Sequence, residues 1–306
     1  MKALVVGYGS IGKRHVEVLE ELSIFEEVVV VTRQCLSNRK TFKQLETVSQ
    51  IEEYDYIVIA SETHLHYCQL VYLNDQIRGK TILVEKPIFE TFETIGALNN
   101  QTFVGYNLRF HPIITAINYK LENKKVLVAH AIFGQYLPTF RPGTDYSTSY
   151  SADPLKGGGV TLDISHEIDY MQWMFGGVLQ MEAISGKISE LKILSEDIAM
   201  MIGKTEKGVL LNISLDYLSK IPIRQLLIHT EDASYLADFI NQSMIVNDKG
   251  KNQQYFYPEA RNRNLTYRLM HQSILAGNTN NACTVDQALI TLKVVDSIKD
   301  KSKVKA

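Results

Sequence analysis

Short aliphatic runs alternate with stretches of helical spacing through the first third of the chain. Ala3–Val6, Val28–Val31, Tyr56–Ala60, Ile82–Val84 and Thr102–Tyr106 read as short buried strands. Between them, His15–Leu22 carries Val16, Leu19 and Leu22 on one stripe, and Tyr67–Asn74 also has helical spacing. Strands alternating with helices predict a right-handed, mostly parallel sheet.

After Pro112 the pattern changes. Ile113–Leu121 reads as a helix, Val126–Leu137 as a long strand, and 138–156 as a loop rich in Pro, Gly, Ser, Thr, Tyr and Asp. Gly157–Gly176 reads as one helix that starts at three glycines and stops at another, which puts Asp163, His166 and Asp169 on one face. Met181–Ser189, Asp197–Lys204, Gly208–Tyr217, Arg224–Thr230, Ala233–Asp238 and Met244–Val246 then follow one another as strands. Strands following strands predict an α+β domain with an open, predominantly antiparallel sheet. One face of that sheet would cover the Asp163 helix, and the other, if apolar, would join copies into a homodimer or homotetramer. Leu265–Ala276 and Val285–Asp300 are the last helices, the latter striped with Ala288, Leu289, Leu292, Val295 and Ile298. The expected domains are 1–112, with helix 284–300 packing back on it, and 113–283. Residues 299–306 read as a frayed tail.

Composition narrows the function classes. The 306 residues are 45% hydrophobic and 22% charged, ordinary for a globular chain of about two domains. A net charge of -2 with no long single-sign run offers no footprint for nucleic acid or a membrane surface. No apolar run reaches the ~18 residues of a bilayer span, and no signal peptide is expected at the N-terminus. Cys35, Cys68 and Cys283 are scattered, which fits reduced thiols and a cytoplasmic location.

Candidate chemistry lies at the strand ends. Gly7-Tyr-Gly9-Ser-Ile-Gly12 stands between a strand and a helix, the context of a dinucleotide-binding turn. Gly7 would allow the tight turn, Gly9 the approach of a pyrophosphate and Gly12 close packing of helix on strand. The helix N-terminus would then offer free N–H groups to phosphates. At the end of the second strand, where NAD enzymes carry an acidic residue, stand Thr32 and Arg33, with Ser37, Arg39 and Lys40 close behind. An Arg fork suits a 2′-phosphate, so NADP(H) is the expected cofactor, with NAD(H) possible. Ser61, Glu62 and His66 follow the third strand on the rim of the same cleft. His64 and His66 have no further ligand at metal spacing, so no metal is expected. Glu85-Lys86-Pro87 closes the next strand, where Lys86 can exchange a proton with a substrate hydroxyl. Arg109, Arg141, Tyr146 and Lys156 supply candidate contacts to a carbohydrate bearing an anionic group.

Taken together, these motifs resemble the Gfo/Idh/MocA oxidoreductases, the glucose-fructose oxidoreductase and inositol dehydrogenase family. The resemblance spans nearly the whole chain. It rests on the Gly7–His15 start, Glu85-Lys86-Pro87, Asn107-Leu-Arg-Phe-His-Pro112, the Gly157–Gly176 block and Thr284-Val-Asp-Gln-Ala-Leu289. It implies a Rossmann domain plus a substrate domain, with Lys86, Asp163 and His166 catalytic and the Lys86–Pro87 bond often cis. The expected dinucleotide contacts are Gly7, Gly9, Ser10, Ile11, Gly12, Arg14, Thr32, Arg33, Ser61, Glu62, His66, Glu85 and Lys86. Substrate contacts would come from Arg109, Arg141, Tyr146, Lys156, Asp163 and His166. The family usually spaces its Asp and His four apart, whereas here the interval is three. Its usual Thr-Pro-Asn is replaced by Ser61-Glu62-Thr63. The expected activity is hydride transfer between NADP(H) and a hydroxyl or keto carbon of a sugar, sugar acid or nucleotide-sugar, in the branch found in carbohydrate or glycan biosynthesis. Reduction of a non-sugar carbonyl or imine, or a non-catalytic NADP(H)-binding regulator, are the alternatives.

Overall fold

The alternation read from the sequence is present in a computed structural model, which describes residues 1–301. In chain order the elements of the first stretch are β1 (Lys2–Val6), α1 (Ser10–Glu21), β2 (Glu27–Val31), β3 (Thr41–Phe42), β4 (Tyr56–Ile59), α2 (His66–Gln76), β5 (Thr81–Val84) and β6 (Gln101–Val104). There follow α3 (Pro112–Lys120), β7 (Val126–Gly134), α4 (Leu137–Phe140), α5 (Val160–Asp163) and α6 (His166–Phe175). A run of strands comes next: β8 (Val178–Gly186), β9 (Ile198–Thr205), β10 (Leu210–Asp216), β11 (Ile223–Thr230), β12 (Ala233–Asp238), β13 (Ser243–Asp248) and β14 (Lys251–Phe256). The chain closes with α7 (Leu265–Leu275), β15 (Cys283–Thr284) and α8 (Val285–Lys301).

These elements form two compact units. The first, 1–110 with 263–289, holds a sheet of order β15-β6-β5-β4-β1-β2-β3. Its strands are parallel except for β15, which pairs antiparallel with β6. All carboxyl ends of the parallel strands therefore lie along one edge, where an open α/β sheet binds its ligands. The core beneath joins Val5, Val58 and Leu83 of the sheet to Val16 and Leu19 of α1 and to Met270 and Ile274 of α7. The second unit, 111–262 with 290 onward, holds a sheet of order β14-β13-β12-β11-β7-β10-β9-β8, antiparallel apart from the β7–β10 pair. Its inner face, including Ala131, Leu226, Leu211 and Met201, is buried, and α5 and α6 lie against β7, β9 and β10.

Five details differ from the sequence reading. The block 157–176 is two helices: Ile164 leaves helical geometry (φ −104°, ψ 29°) and α6 begins at His166. The chain turns there to bury Ile164 and Ser165, so Asp163 ends one helix while His166 starts the next, rather than sharing a face of one helix. Strand β14 has no apolar alternation because five of its six residues are exposed at the edge of the sheet. Helix α7 groups with the first unit, since its His271 is bonded to His15 of α1 and Tyr56 of β4. Helix α8, expected to return to the first domain, does so only over 285–289. From Ile290 it belongs to the second unit, where Gln172 Nε2 donates to Thr291 Oγ1 at 3.2 Å. Residues 299–301, read as part of a tail, continue α8, and 302–306 lie outside the described residues.

Candidate active site

In the first unit the Gly-rich turn has the geometry its sequence requires. Gly7 adopts φ +100° and donates its N–H to Val31 O at 2.9 Å. A Cβ there would stand 2.5 Å from Ala60 O, and one at Gly12 would stand 2.2 Å from Gly7 O. Glycine is therefore required at both positions for strand, turn and helix to approach so closely. At Gly9 a Cβ would meet nothing within 4 Å, so the backbone faces open space. No side chain caps the N-terminus of α1, and its first turn carries no acidic residue. This is a cradle that fits an anionic pyrophosphate. Beside it, Ser10 is exposed and Ile11 packs partly on the core. Arg14 instead lies over the Tyr267 ring, 5.3 Å from its centroid.

At the end of β2, Thr32 is nearly buried, and its Oγ1 accepts from Gln34 N at 3.1 Å. Arg33 is exposed, and no ion pair engages its guanidinium among the described residues. Arg39, by contrast, is bonded to Glu20 at 2.9 Å and lies over Tyr8. Lys43 Nζ donates to Arg33 O at 3.0 Å, adding a further cation at this corner.

The loops after β4 and β5 are joined through a single imidazole. His66 is buried, with Nδ1 3.0 Å from Pro87 O and Nε2 3.2 Å from Ser61 O. Burial pushes its pKa below the ordinary histidine value, so the ring is neutral and donates from one nitrogen only. His66 thus stands between the two rim loops and donates to one of their two carbonyls. Ser61 Oγ donates to Gln69 at 2.6 Å, and Glu62 is exposed beside His64. The Lys86–Pro87 bond is cis. The Glu85 carboxylate turns inward, its Oε2 accepting from Lys86 N at 3.1 Å and its Oε1 standing 2.9 Å from His15 Nε2. Arg109 is also an interior residue of this unit, 1% exposed, and donates to Gln287 Oε1 at 2.6 Å. Its fork is spent on the start of α8, which removes it from the expected anion contacts.

In the second unit Asp163 is the centre of a dense polar cluster. It is 5% exposed and accepts from Tyr150 Oη, from Ser151 Oγ at 2.8 Å and from Tyr217 Oη at 2.9 Å. Arg141 adds an ion pair at 3.6 Å while donating to Tyr150 Oη at 2.6 Å and Ser151 Oγ at 3.1 Å. Burial and the Asp163 charge push both phenols upward, so each hydroxyl keeps its proton and donates. The loop reaches Asp163 because Gly158 has no side chain: a Cβ there would be 2.2 Å from Tyr150 O. His166 is half-buried at the first position of α6, and Asp169 is buried one turn on. Tyr146 accepts from Lys192 N at 3.3 Å. Lys156, 59% exposed, lines an open groove of about 320 Å³ with Ser147, Ser149, Asp153 and Lys192.

Arg141 and Asp163 are thus brought together. Tyr150 and Ser151 were legible only as polar loop residues, and Tyr217 carried no sequence signal because it closes the strand run after β10. Among the described residues no group of three or more His, Cys, Asp or Glu could hold a metal ion, and no helix is long and apolar enough to cross a membrane.

Comparison with known proteins adds to this geometry. Residues 1–101 match the model of an oxidoreductase family's NAD-binding Rossmann fold, and 134–305 match that family's C-terminal alpha/beta domain. A search of curated proteins finds no match. Among solved structures, a levoglucosan dehydrogenase in complex with NADH superposes with a TM-score of 0.82 at 14% identity, covering 99% of this chain and 96% of the other. The WlbA dehydrogenase from Bordetella pertussis, in complex with NADH and UDP-GlcNAcA, gives 0.78 at 15% identity, covering 100% and 97%. The UDP-N-acetylglucosamine 3-dehydrogenase GnnA from Acidithiobacillus ferrooxidans gives 0.76 at 16% identity, covering 99% and 98%. At these identities the likeness is one of fold.

Proposed function

The chain belongs to the Gfo/Idh/MocA oxidoreductase family, and from that premise we propose that it moves a hydride between NADP(H) and a hydroxyl- or keto-bearing carbon of a sugar, sugar acid or nucleotide-sugar. The observation that carries this reading is one sheet edge. The open backbone at Gly9 and the uncapped start of α1 follow the carboxyl end of β1, and the Glu85-Lys86-Pro87 turn follows that of β5, with β4 between them in the same parallel sheet. When bound, the dinucleotide supplies the redox chemistry. Gly7, Gly9, Ser10, Ile11 and Gly12 would hold its pyrophosphate. Proton exchange with the substrate oxygen is assigned to Lys86 or His166, and Asp163 is assigned the orienting or charge-tuning role. The sugar assignment is supported by the substrates in the names of the structural neighbours. With Arg109 buried and Arg141 the more buried of the remaining cations, an anionic substituent falls to the exposed Lys156, which also pairs with Asp153 at 3.6 Å, and to Lys192 on the open groove.

Cofactor choice rests on Arg33. A fluorescence titration should show NADPH binding tighter than NADH, with Arg33→Ala costing NADPH about 10–100-fold, the worth of a lost charged hydrogen bond. NADH affinity should barely move. Equal wild-type affinities for the two nucleotides would overturn the NADP assignment.

We also propose a homodimer or homotetramer built through the outer face of the second sheet, in a cytoplasmic enzyme. Cross-strand pairing puts Ile184, Met200 and Ile132 in one row of that face and Ile202, Leu227, Leu236 and Ile245 in the next. Ile184 and Ile202 are 62% and 61% exposed and with Met200 form an apolar group on β8 and β9, of the kind that a second copy covers. Ile202→Asp should reduce the mass measured by light scattering to that of a monomer. A wild-type protein that is monomeric at micromolar concentration would contradict the assignment.

A further inference from the structure

Four polar side chains cross the interior of the first unit in one line. Tyr56 Oη is 2.8 Å from His271 Nδ1, His271 Nε2 is 2.8 Å from His15 Nδ1, and His15 Nε2 is 2.9 Å from Glu85 Oε1. Tyr56, His15 and His271 are 0% exposed, and Glu85 is 6% exposed. They come from β4, α7, α1 and the end of β5, so the line links the helix of the Gly-rich turn to the residue before Lys86. Burying so many polar atoms is costly unless every one is satisfied, and a satisfied network specifies a single arrangement.

The direction of the line follows from its far end. The Tyr56 hydroxyl is fully buried, and His271 Nδ1 is its hydrogen-bond partner, so it must donate there. His271, held below its ordinary pKa by burial and by His15, is neutral and carries its one proton on Nε2. That proton points at His15 Nδ1, which places the His15 proton on Nε2, facing the Glu85 carboxylate. The second oxygen of Glu85 accepts from Lys86 N at 3.1 Å. A Cβ at Gly105 would stand 2.8 Å from Glu85 Oε1, so this inward pose of the carboxylate also requires the glycine beside it. Around the line stand the Tyr267 ring, edge-on to His15 at 5.3 Å and covered by Arg14, and Phe25, stacked on Tyr56.

We propose that Tyr56, His271 and His15 form a one-way hydrogen-bond chain ending on Glu85, and that it positions Lys86 by fixing the carboxylate that holds the Lys86 backbone N–H. Glu85 is then a positioning residue facing the interior, not a contact to the dinucleotide. The catalytic meaning of the chain rests on the role proposed above for Lys86, but its existence is testable without nucleotide or substrate.

Nitrogen-15 spectra of the histidine-labelled, nucleotide-free protein at neutral pH read the tautomers directly, with His15 and His271 assigned through single variants. The expected result is a neutral Nε2–H tautomer for both rings. An imidazolium or an Nδ1–H tautomer at either ring would overturn the chain. Amide hydrogen exchange then reads its consequence. In His271→Leu the Lys86 amide should exchange at least about 10-fold faster, while the Gly105 amide, bonded to Val84 O in the neighbouring ladder, keeps its rate. His271→Gln, which can both donate to His15 and accept from Tyr56, should restore protection at Lys86. Equal acceleration at Lys86 and Gly105, or no rescue by glutamine, would reduce His271 to a packing residue. If the tautomers and exchange rates come out as expected but no dinucleotide binds, the chain stands and the oxidoreductase reading of the site falls.

Discussion

Replacing Lys86 by alanine should lower kcat by about 10²–10⁴-fold, the usual worth of a positioned proton donor or acceptor. Dinucleotide affinity should change little, because the Gly7–Gly12 cradle is built from backbone and does not depend on the Lys86 side chain. The size of the effect follows from placement. Lys86 leaves β5 at the edge where α1 presents its uncapped N-terminus, and its backbone N–H is tied to Glu85 Oε2. An ammonium held there can give and take a proton, whereas a guanidinium cannot at ordinary pH. Lys86→Arg should therefore be nearly as slow as the alanine variant while keeping the positive charge. Steady-state rates together with fluorescence titration separate the two quantities. Full activity in Lys86→Ala would remove Lys86 from the chemistry.

The second large effect is expected at Asp163, and it combines stability with activity. Asp163→Ala would remove the common acceptor of Tyr150, Ser151 and Tyr217 and leave Arg141 without its carboxylate. Removing one partner from a buried charged cluster typically costs about 3–5 kcal/mol. The loss should appear in urea unfolding as a lower midpoint with an unchanged slope. Turnover should fall as well, because the loop carrying Arg141 and Tyr150 loses its anchor. Asp163→Asn tests the charge separately from the shape: one of its two polar atoms becomes a donor facing donors, so it should recover only part of the stability. A cost below about 1 kcal/mol for the alanine variant would mean that the cluster is not an anchor.

How much of this was legible before the structure depends on the range of the interaction. The Gly-rich turn was readable because its constraint is local: Gly7 needs a positive φ, and Gly12 must clear the carbonyl of Gly7 five residues away. The open, mostly antiparallel sheet was readable because its strands follow one another with period two. Strand β14 was missed for the opposite reason, being an exposed edge with no buried face to write an alternation into its sequence. The break at Ile164 was invisible because Asp163 and His166 keep helical spacing on both sides of it. Arg109 illustrates the limit most clearly. From sequence it is a cation beside a loop, and only Gln287, 178 residues away, makes it an interior residue. His15 could be quoted as part of a motif, but its partner His271 lies 256 residues further along and had no local signature at all.

One measurement bears on the central claim more directly than any other. Absorbance at the reduced-nicotinamide band would be followed for NADP⁺ with a panel of free sugars, sugar acids and nucleotide-sugars, using wild-type protein and Lys86→Ala side by side. The account predicts reduction of the dinucleotide with one of these substrate classes by the wild type and its near-complete loss in the variant. A wild-type protein that binds neither NADPH nor NADH would contradict the account at its base.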